Sequence, residues 1–430
     1  MRSASSLRRM MTATAMHCMS SFHGQSLASA LIVTAPTTRQ SPSSPFGTSR
    51  HLQLLSRQQL RPHASTTICK GSSVDTVLTD NSSRADENSA TGQKNEELLM
   101  QDMLYRIREC NKIPEDLRSR IVEFNLDGCV LGKVDTKVAE MLCSTKPSDG
   151  PCVFEMATDG GKTYLTLSEE AAGTTVESRT LAVGGVMEEL KRTGIVTGWR
   201  DELYPISDSF YNPPLFLMER AATDLMGVLS YGVHINGIVW EEGTNQPRMW
   251  MARRSKTKSK FPGMLDHIVA GGQPAGLGLM ENVIKECEEE AGIPPELFDR
   301  PDVDIRPVGV VSYEETVRCG MGGEIDEAAE EYGEDDDTKI FYKISRVVLF
   351  NYDLVLPQDF SPKPLDGEVD NFFLWDIDQI KESMARDFDD PIKPNCYLVI
   401  IDYLLRMGFV SPETKGYLDV LKELKSGDCQ

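Results

Sequence analysis

The spacing of apolar residues divides the chain into two regions. Between residues 98 and 220 the pattern is mixed. Helical stretches at 96–110 and 184–192 alternate with short apolar runs at 129–131 and 163–167, which predicts a small α/β domain. From Gly232 the period becomes two, with Val233, Ile235 and Val239 preceding the turn-rich residues 242–247 and a second run at 249–252. That pattern predicts a β-hairpin. Further strands are predicted at 347–356 and 372–375, and closing helices at 395–406 and 412–424, the last with Ser411 as N-cap and Pro412 in its first turn.

Residues 279–291 predict an amphipathic helix. At 100° per residue, Met280, Ile284, Cys287 and Ala291 form one narrow apolar stripe, expected to face the core. Glu286, Glu289 and Glu290, spaced i, i+3, i+4, gather on a separate arc, where each like-charge pair costs about 0.2–0.5 kcal/mol. A cation or solvent must offset that repulsion. The helix follows a glycine-rich turn that begins at Gly271 and Gly272, which allows backbone and a carboxylate-bound cation to approach a diphosphate together. No G-x-G-x-x-G occurs there and no G-K-[ST], so neither a dinucleotide fingerprint nor a P-loop is present.

Charge is unevenly distributed. Residues 1–74 hold eight of the 45 Lys and Arg and none of the 66 Asp and Glu, so the rest of the chain carries a net charge of −29. A basic, Ser/Thr-rich, acid-free leader predicts an organelle transit peptide, with Ser, Thr and Pro at 34–49 favouring a plastid over a mitochondrion. Residues 75–97 are polar and predict a disordered linker, while 320–338 carry nine acids and no base and predict a solvated insertion. A body this acidic repels phosphate backbones and anionic lipid, so neither nucleic acid nor membrane is an expected partner, and an anionic substrate would need metal ions. No run reaches the eighteen apolar residues of a membrane span; the nearest, 396–405, is short and contains Asp402. The ten Cys form no C-x-x-C, which suits a reducing compartment. Beyond the leader only His234 and His267 remain, with no Cys near them in sequence, so no zinc site is expected and His267 is read as structural.

The segment from Gly271 to Ile293, GGQPAGLGLMENVIKECEEEAGI, resembles the Nudix box, G-x5-E-x7-R-E-U-x-E-E-x-G-U, where U is aliphatic. Anchored on Gly271, the match puts Lys285 at the Arg position, Glu286, Glu289 and Glu290 at the three later Glu positions, and Gly292 and Ile293 at the end. Leu277 stands where the leading Glu belongs. The stretches GWRDELYPI (198–206), ERAATDLMGVLSYGVHINGIV (219–239), YDLVLP (352–357) and DGEVDNFFLW (366–375) resemble one branch of the family, that of chloroplast Nudix hydrolases and the Nudix half of fungal thiamine pyrophosphokinase fusions.

The resemblance implies a Nudix α/β/α sandwich over residues 221–428, preceded by the small α/β domain at 98–220. It implies Mg²⁺- or Mn²⁺-dependent cleavage of a small-molecule diphosphate to a monophosphate and phosphate. Glu286, Glu289 and Glu290 would be the metal ligands and catalytic acids, joined by Glu368 in the turn before a strand. Gly271, Gly272 and Arg254 would bind substrate, Arg254 as a phosphate clamp. Oxidised thiamine diphosphate is the expected substrate and an oxidised nucleoside diphosphate such as 8-oxo-dGDP the alternative; a catalytically weak binding module of the same fold is the rival of a different class. The domain at 98–220 is expected to supply either substrate contacts or a homodimer surface.

Overall fold

The computed structural model describes residues 82–148, 150–244, 246–258, 260–320, 323–325 and 340–427. The leader expected at 1–74 and most of the acidic insertion lie outside them. One compact unit comprises residues 88–430.

The chain enters through helix α1 (Ser82–Glu109), which begins inside the segment read as a linker. A four-stranded sheet follows: β1 (Ile121–Leu126), β2 (Cys129–Asp135), β3 (Phe154–Asp159) and β4 (Lys162–Leu167), in the order β2-β1-β4-β3, with β1 and β4 parallel. Helices α2 (Thr136–Ser144) and α3 (Val176–Arg192) pack on it through Val138, Leu142, Val183, Val186 and Met187. Asp135 caps α2 by accepting the Lys137 N–H. Thr175 and Ser178 form a reciprocal capping pair at the start of α3, so this helix begins eight residues before the apolar stretch that announced it. A two-stranded hairpin, β5 (Leu203–Ile206) and β6 (Phe216–Glu219), completes the region.

The main sheet has eight strands: β7 (Leu229–Trp240), β8 (Pro247–Arg254), β9 (Leu265–His267), β10 (Val269–Gly272), β11 (Asp304–Gly320), β12 (Gly323–Glu324), β13 (Phe341–Val355) and β14 (Val369–Asp376). Its order is β12-β11-β13-β7-β8-β14, with β10 on β7 and β9 on β8. The expected hairpin is β7–β8, in register from Gly237 opposite Trp250 to Trp240 opposite Pro247. Alternation along β7 sorts its side chains onto two faces. Val233, Ile235 and Val239 pack under helix α4 (Leu279–Ala291), while Ile238 shares a core with α1, helix α5 (Ile377–Glu382) and helix α6 (Pro394–Arg406). Helices thus cover both faces of the sheet, each buried Val, Ile or Leu contributing about 1.5–3 kcal/mol.

Three local expectations are corrected. On α4 the buried arc runs through Asn282, Val283, Cys287, Glu290 and Ala291, whereas Met280 is exposed and Ile284 only partly covered. The arc is rotated because two polar groups belong inside: Asn282 donates to the Gly272 carbonyl at 2.8 Å and Glu290 accepts the Ala270 N–H at 2.9 Å. The last helix, α7, spans only Tyr417–Leu424, and Gly416, at φ 97°, precedes it. Ser411 instead accepts the Glu413 N–H in a turn.

The third concerns zinc. Cys396, remote in sequence, lies beside both histidines, with donor atoms of His234, His267 and Cys396 within 4.8 Å of one another and all three residues buried. The two Nδ1 atoms share a hydrogen bond of 3.1 Å, and the Cys396 thiol donates to Asp266 at 2.8 Å. The group is a buried polar cluster in which His267 Nε2 has no hydrogen-bond partner, and its three donor atoms are close enough together to hold a metal ion.

Candidate active site

Strand β10 and helix α4 meet at the glycine turn. Gly271 and Gly272 close β10, paired with Val233 and Gly232 of β7. A Cβ on Gly271 would stand 2.4 Å from Cδ of Glu286, so the carboxylate rests directly on the strand backbone. A Cβ on Gly272 would stand 1.8 Å from Oη of Tyr204. Only glycine admits both approaches. The turn is fastened by the Gln273 N–H to the Tyr231 carbonyl (2.8 Å) and by the Gln273 side-chain amide to the Leu277 carbonyl (2.6 Å).

Helix α4 starts with Glu281 accepting the Gly278 N–H at 3.0 Å. At its other end Gly292, with φ 61°, donates to the Glu288 carbonyl and Ile293 to that of Cys287, a Schellman closure that needs a left-handed residue. The helix is therefore fixed at both ends, and its three later acids hold defined positions. Glu289 is exposed, Glu286 half-buried and Glu290 buried. Burial pushes the Glu290 carboxyl well above the usual range, reinforced by the charges of Glu286, Asp266 and Glu368 and only partly offset by the Ala270 N–H. Burial also raises the Glu286 carboxyl, against the opposing pull of Lys285.

Glu368 joins them from across the sheet. Gly367 at φ 81° makes the turn, Asp366 accepts the Glu368 N–H at 2.8 Å, and β14 begins at the next residue. Its carboxylate forms an ion pair with Lys258. Burial alone would raise the Glu368 carboxyl, but Lys258, Arg200 and Arg220 outweigh burial and hold it below the usual range. Glu286 thus rests on the Gly271 backbone, Glu290 accepts the Ala270 N–H, Lys285 ties Glu289 to Glu286, and Glu368 bears electrostatically on Glu290.

Arg254 does not join them. It is mostly buried, its Nη1 paired with Asp266 at 2.7 Å and its Nε and Nη2 donating to the carbonyls of Phe261 and Lys260. Asp266 lies in the core and needs that cation, so the expectation of a phosphate clamp at Arg254 is corrected. Arg253, on the opposite face of β8, pairs with Asp390. Sequence reasoning missed Tyr204 on β5 and Arg220 immediately after β6. Arg220 acts electrostatically on both Glu286 and Glu368.

Carboxylates supply the hard oxygens that a divalent cation takes, although among the described residues no three of these acids bring ligand atoms within 4.8 Å of one another. The structure tests that fit through Lys285, whose ammonium bridges Glu286 at 3.1 Å and Glu289 at 2.7 Å and stands where positive charge is required. Glu290, buried with one backbone N–H as its hydrogen-bond partner, lacks such a counter-charge of its own.

The chain is 38% identical over 326 residues to "Nudix hydrolase 24, chloroplastic" of Arabidopsis thaliana, covering 76% of this chain and 78% of the relative. It is 39% identical over 329 residues to "Nudix hydrolase 20, chloroplastic" of the same plant, covering 75% and 78%. The chain belongs to the Nudix hydrolase family. It is therefore a Nudix diphosphate hydrolase, an enzyme of a family that generally uses divalent metals. A family described as "Domain of unknown function (DUF4743)" matches residues 102–230. Among solved structures, a MutT/nudix family protein from Enterococcus faecalis superposes with a TM-score of 0.28 at 14% identity, covering 45% of this chain and 67% of that one.

Proposed function

We propose that this Nudix hydrolase cleaves the phosphoanhydride of an organic diphosphate, releasing a monophosphate and phosphate. The observation that carries the reading is the placement of Glu286 against the Gly271 backbone, with Glu290 of the same helix accepting the Ala270 N–H. Glu286, Glu289 and Glu290 would hold Mg²⁺ or Mn²⁺, with Glu368 as a further ligand. Such ions, when bound, polarise the phosphoryl oxygens and lower the pKa of an attacking water. The chain's own part is to fix the acids on a doubly capped helix and to bring a side-chain-free backbone against the diphosphate.

The substrate we infer is oxidised thiamine diphosphate. Support comes from the stretches at 198–206, 219–239, 352–357 and 366–375, which resemble the thiamine pyrophosphokinase-related branch. The test is Mg²⁺-dependent phosphate release from a panel containing thiamine diphosphate, its oxo and oxy analogues, and 8-oxo-dGDP. The oxidised thiamine compounds should give the highest kcat/KM, and a higher value for 8-oxo-dGDP would replace them. For location we propose the plastid, on the acid-free leader and on two relatives named chloroplastic. The native N-terminus should then fall between residues 61 and 75, and one at Met1 would refute cleavage.

A further inference from the structure

Strand β10 carries a glycine pair, but the family motif accounts for only one of the two close approaches made there. Gly271 receives Glu286. Gly272 receives Tyr204 and Arg220, whose Oη and Cζ would stand 1.8 and 3.2 Å from a Cβ at that position. Tyr204 lies on β5 of the hairpin and Arg220 directly follows β6, both within the segment matched by the domain of unknown function. The hairpin also holds the turn itself, since the Leu203 carbonyl accepts the Ala275 N–H at 3.2 Å. The Arg220 guanidinium lies over the Tyr204 ring at 5.5 Å and pairs with Glu202 at 2.8 Å through Nη1, with 41% of its side chain exposed.

We propose that the β5–β6 hairpin is the second wall of the active site, and that Arg220 binds the diphosphate of the substrate. Three observations converge on this assignment. Arg220 lies against the Gly272 backbone, next to the strand position on which Glu286 rests, and its charge bears on both Glu286 and Glu368. A guanidinium offers forked donors that match phosphoryl oxygens, and here one edge is held by Glu202 while the side chain reaches solvent. Arg254, the cation expected in that role, is committed to Asp266. Tyr204 is a positioning residue: it is buried, carries the guanidinium on its ring face and wedges against the Gly272 backbone. In a body of net charge −29, such a fixed cation beside the acids is what admits an anionic substrate.

The inference rests on the diphosphatase reading, so its test includes a measurement that does not need turnover. Binding of imidodiphosphate, a non-hydrolysable diphosphate, to the full chain in Mg²⁺ is followed by calorimetry. Arg220→Gln should weaken binding by about tenfold or more, Arg220→Lys by less, and Tyr204→Phe should leave it closer to wild type than Arg220→Gln does. Glu202→Gln should tighten binding, because Arg220 loses a competing carboxylate. Equal affinities for wild type and Arg220→Gln would overturn the proposal. So would a Glu202→Gln variant weakened as much as Arg220→Gln, since Arg220 would then serve only its ion pair. If the wild type binds imidodiphosphate through Arg220 yet releases phosphate from no diphosphate in the panel, the functional reading fails while the wall stands.

Discussion

The ammonium of Lys285 lies 2.7 Å from Oε2 of Glu289, one helical turn further along α4. In the Nudix box that position belongs to an Arg, and Leu277 stands where the leading Glu belongs. Lys285 pairs with Glu286 and Glu289, the acids proposed to hold the metal, and would compete with it for them. Replacing it by Met should lower the Mg²⁺ concentration for half-maximal activity by about two- to fivefold, the worth of an exposed ion pair of about 0.5–1 kcal/mol. A metal titration of activity measures this, and a raised requirement would return Lys285 to an orienting role.

Glu289→Gln and Glu290→Gln should each reduce kcat by about 100-fold or more, as loss of a charge fixed at the reacting group does. Neither substitution touches Val283, Cys287 or Ala291, so thermal unfolding should stay cooperative. Both variants turning over at the wild-type rate in Mg²⁺ would remove the helix acids from the mechanism.

Gly271→Ala separates geometry from charge. Its Cβ would meet Cδ of Glu286 at 2.4 Å and Oε2 at 2.7 Å, a clash that a flexible side chain escapes by moving. The fold should survive and the carboxylate should not stay in place, with turnover falling by about tenfold or more, since displacement near 1 Å is costly at a reacting centre. Melting temperature and kcat measured on one preparation decide it; a large loss of stability with kcat intact would contradict it.

Much of this site was legible because its signals are local. Glu286, Glu289 and Glu290 share one helix, and the turn at Gly367 with the strand after it announced Glu368. What escaped depends on contacts between distant segments. Tyr204 and Arg220 meet Gly272 only once the hairpin docks, and Arg254 could be excluded only by seeing Asp266 beside it. The stripe on α4 was misplaced for a related reason: counting apolar residues favours Met280 over Asn282, while the unsatisfied carbonyl of Gly272 calls for Asn282. Cys396 was invisible beside the histidines because 129 residues separate it from His267 in sequence.

That histidine pair gives the enzyme a pH-dependent stability. Burial pushes His267 down to about 4 and His234 well below its ordinary 6.5, so both imidazoles are neutral in the folded protein. The unfolded chain takes up protons near 6.5 that the folded one refuses. The contribution is therefore complete above about pH 6.5 and is lost as pH falls toward 4, at up to about 1.4 kcal/mol per pH unit for each imidazole. The raised carboxyls of Glu286 and Glu290 act in the opposite sense, so the measurement is a difference. Urea unfolding at pH 7, 6 and 5 should show a steeper decline for the wild type than for His234→Gln/His267→Gln. Parallel declines would assign the acid sensitivity to other groups.

Glu368 is the site residue whose role is argued from position alone, and its surroundings sharpen the test. Its backbone is held on both sides, the N–H by Asp366 and the carbonyl by the Ser255 N–H at 2.8 Å, so the side chain is aimed rather than free. It bears on Glu290 electrostatically, while Lys258, Arg200 and Arg220 keep it ionised. An acid that its surroundings keep ionised is suited to complete a cation site from the strand side. Glu368→Gln should raise the Mg²⁺ concentration for half-maximal activity, or lower kcat, by about tenfold or more. Asp366→Asn keeps an oxygen that can accept the Glu368 N–H, and Asp370 is exposed on β14, so Asp366→Asn and Asp370→Asn should each do much less. If all three substitutions produced the same small effect, Glu368 would be a turn residue paired with Lys258, and the metal would rest on the helix acids alone.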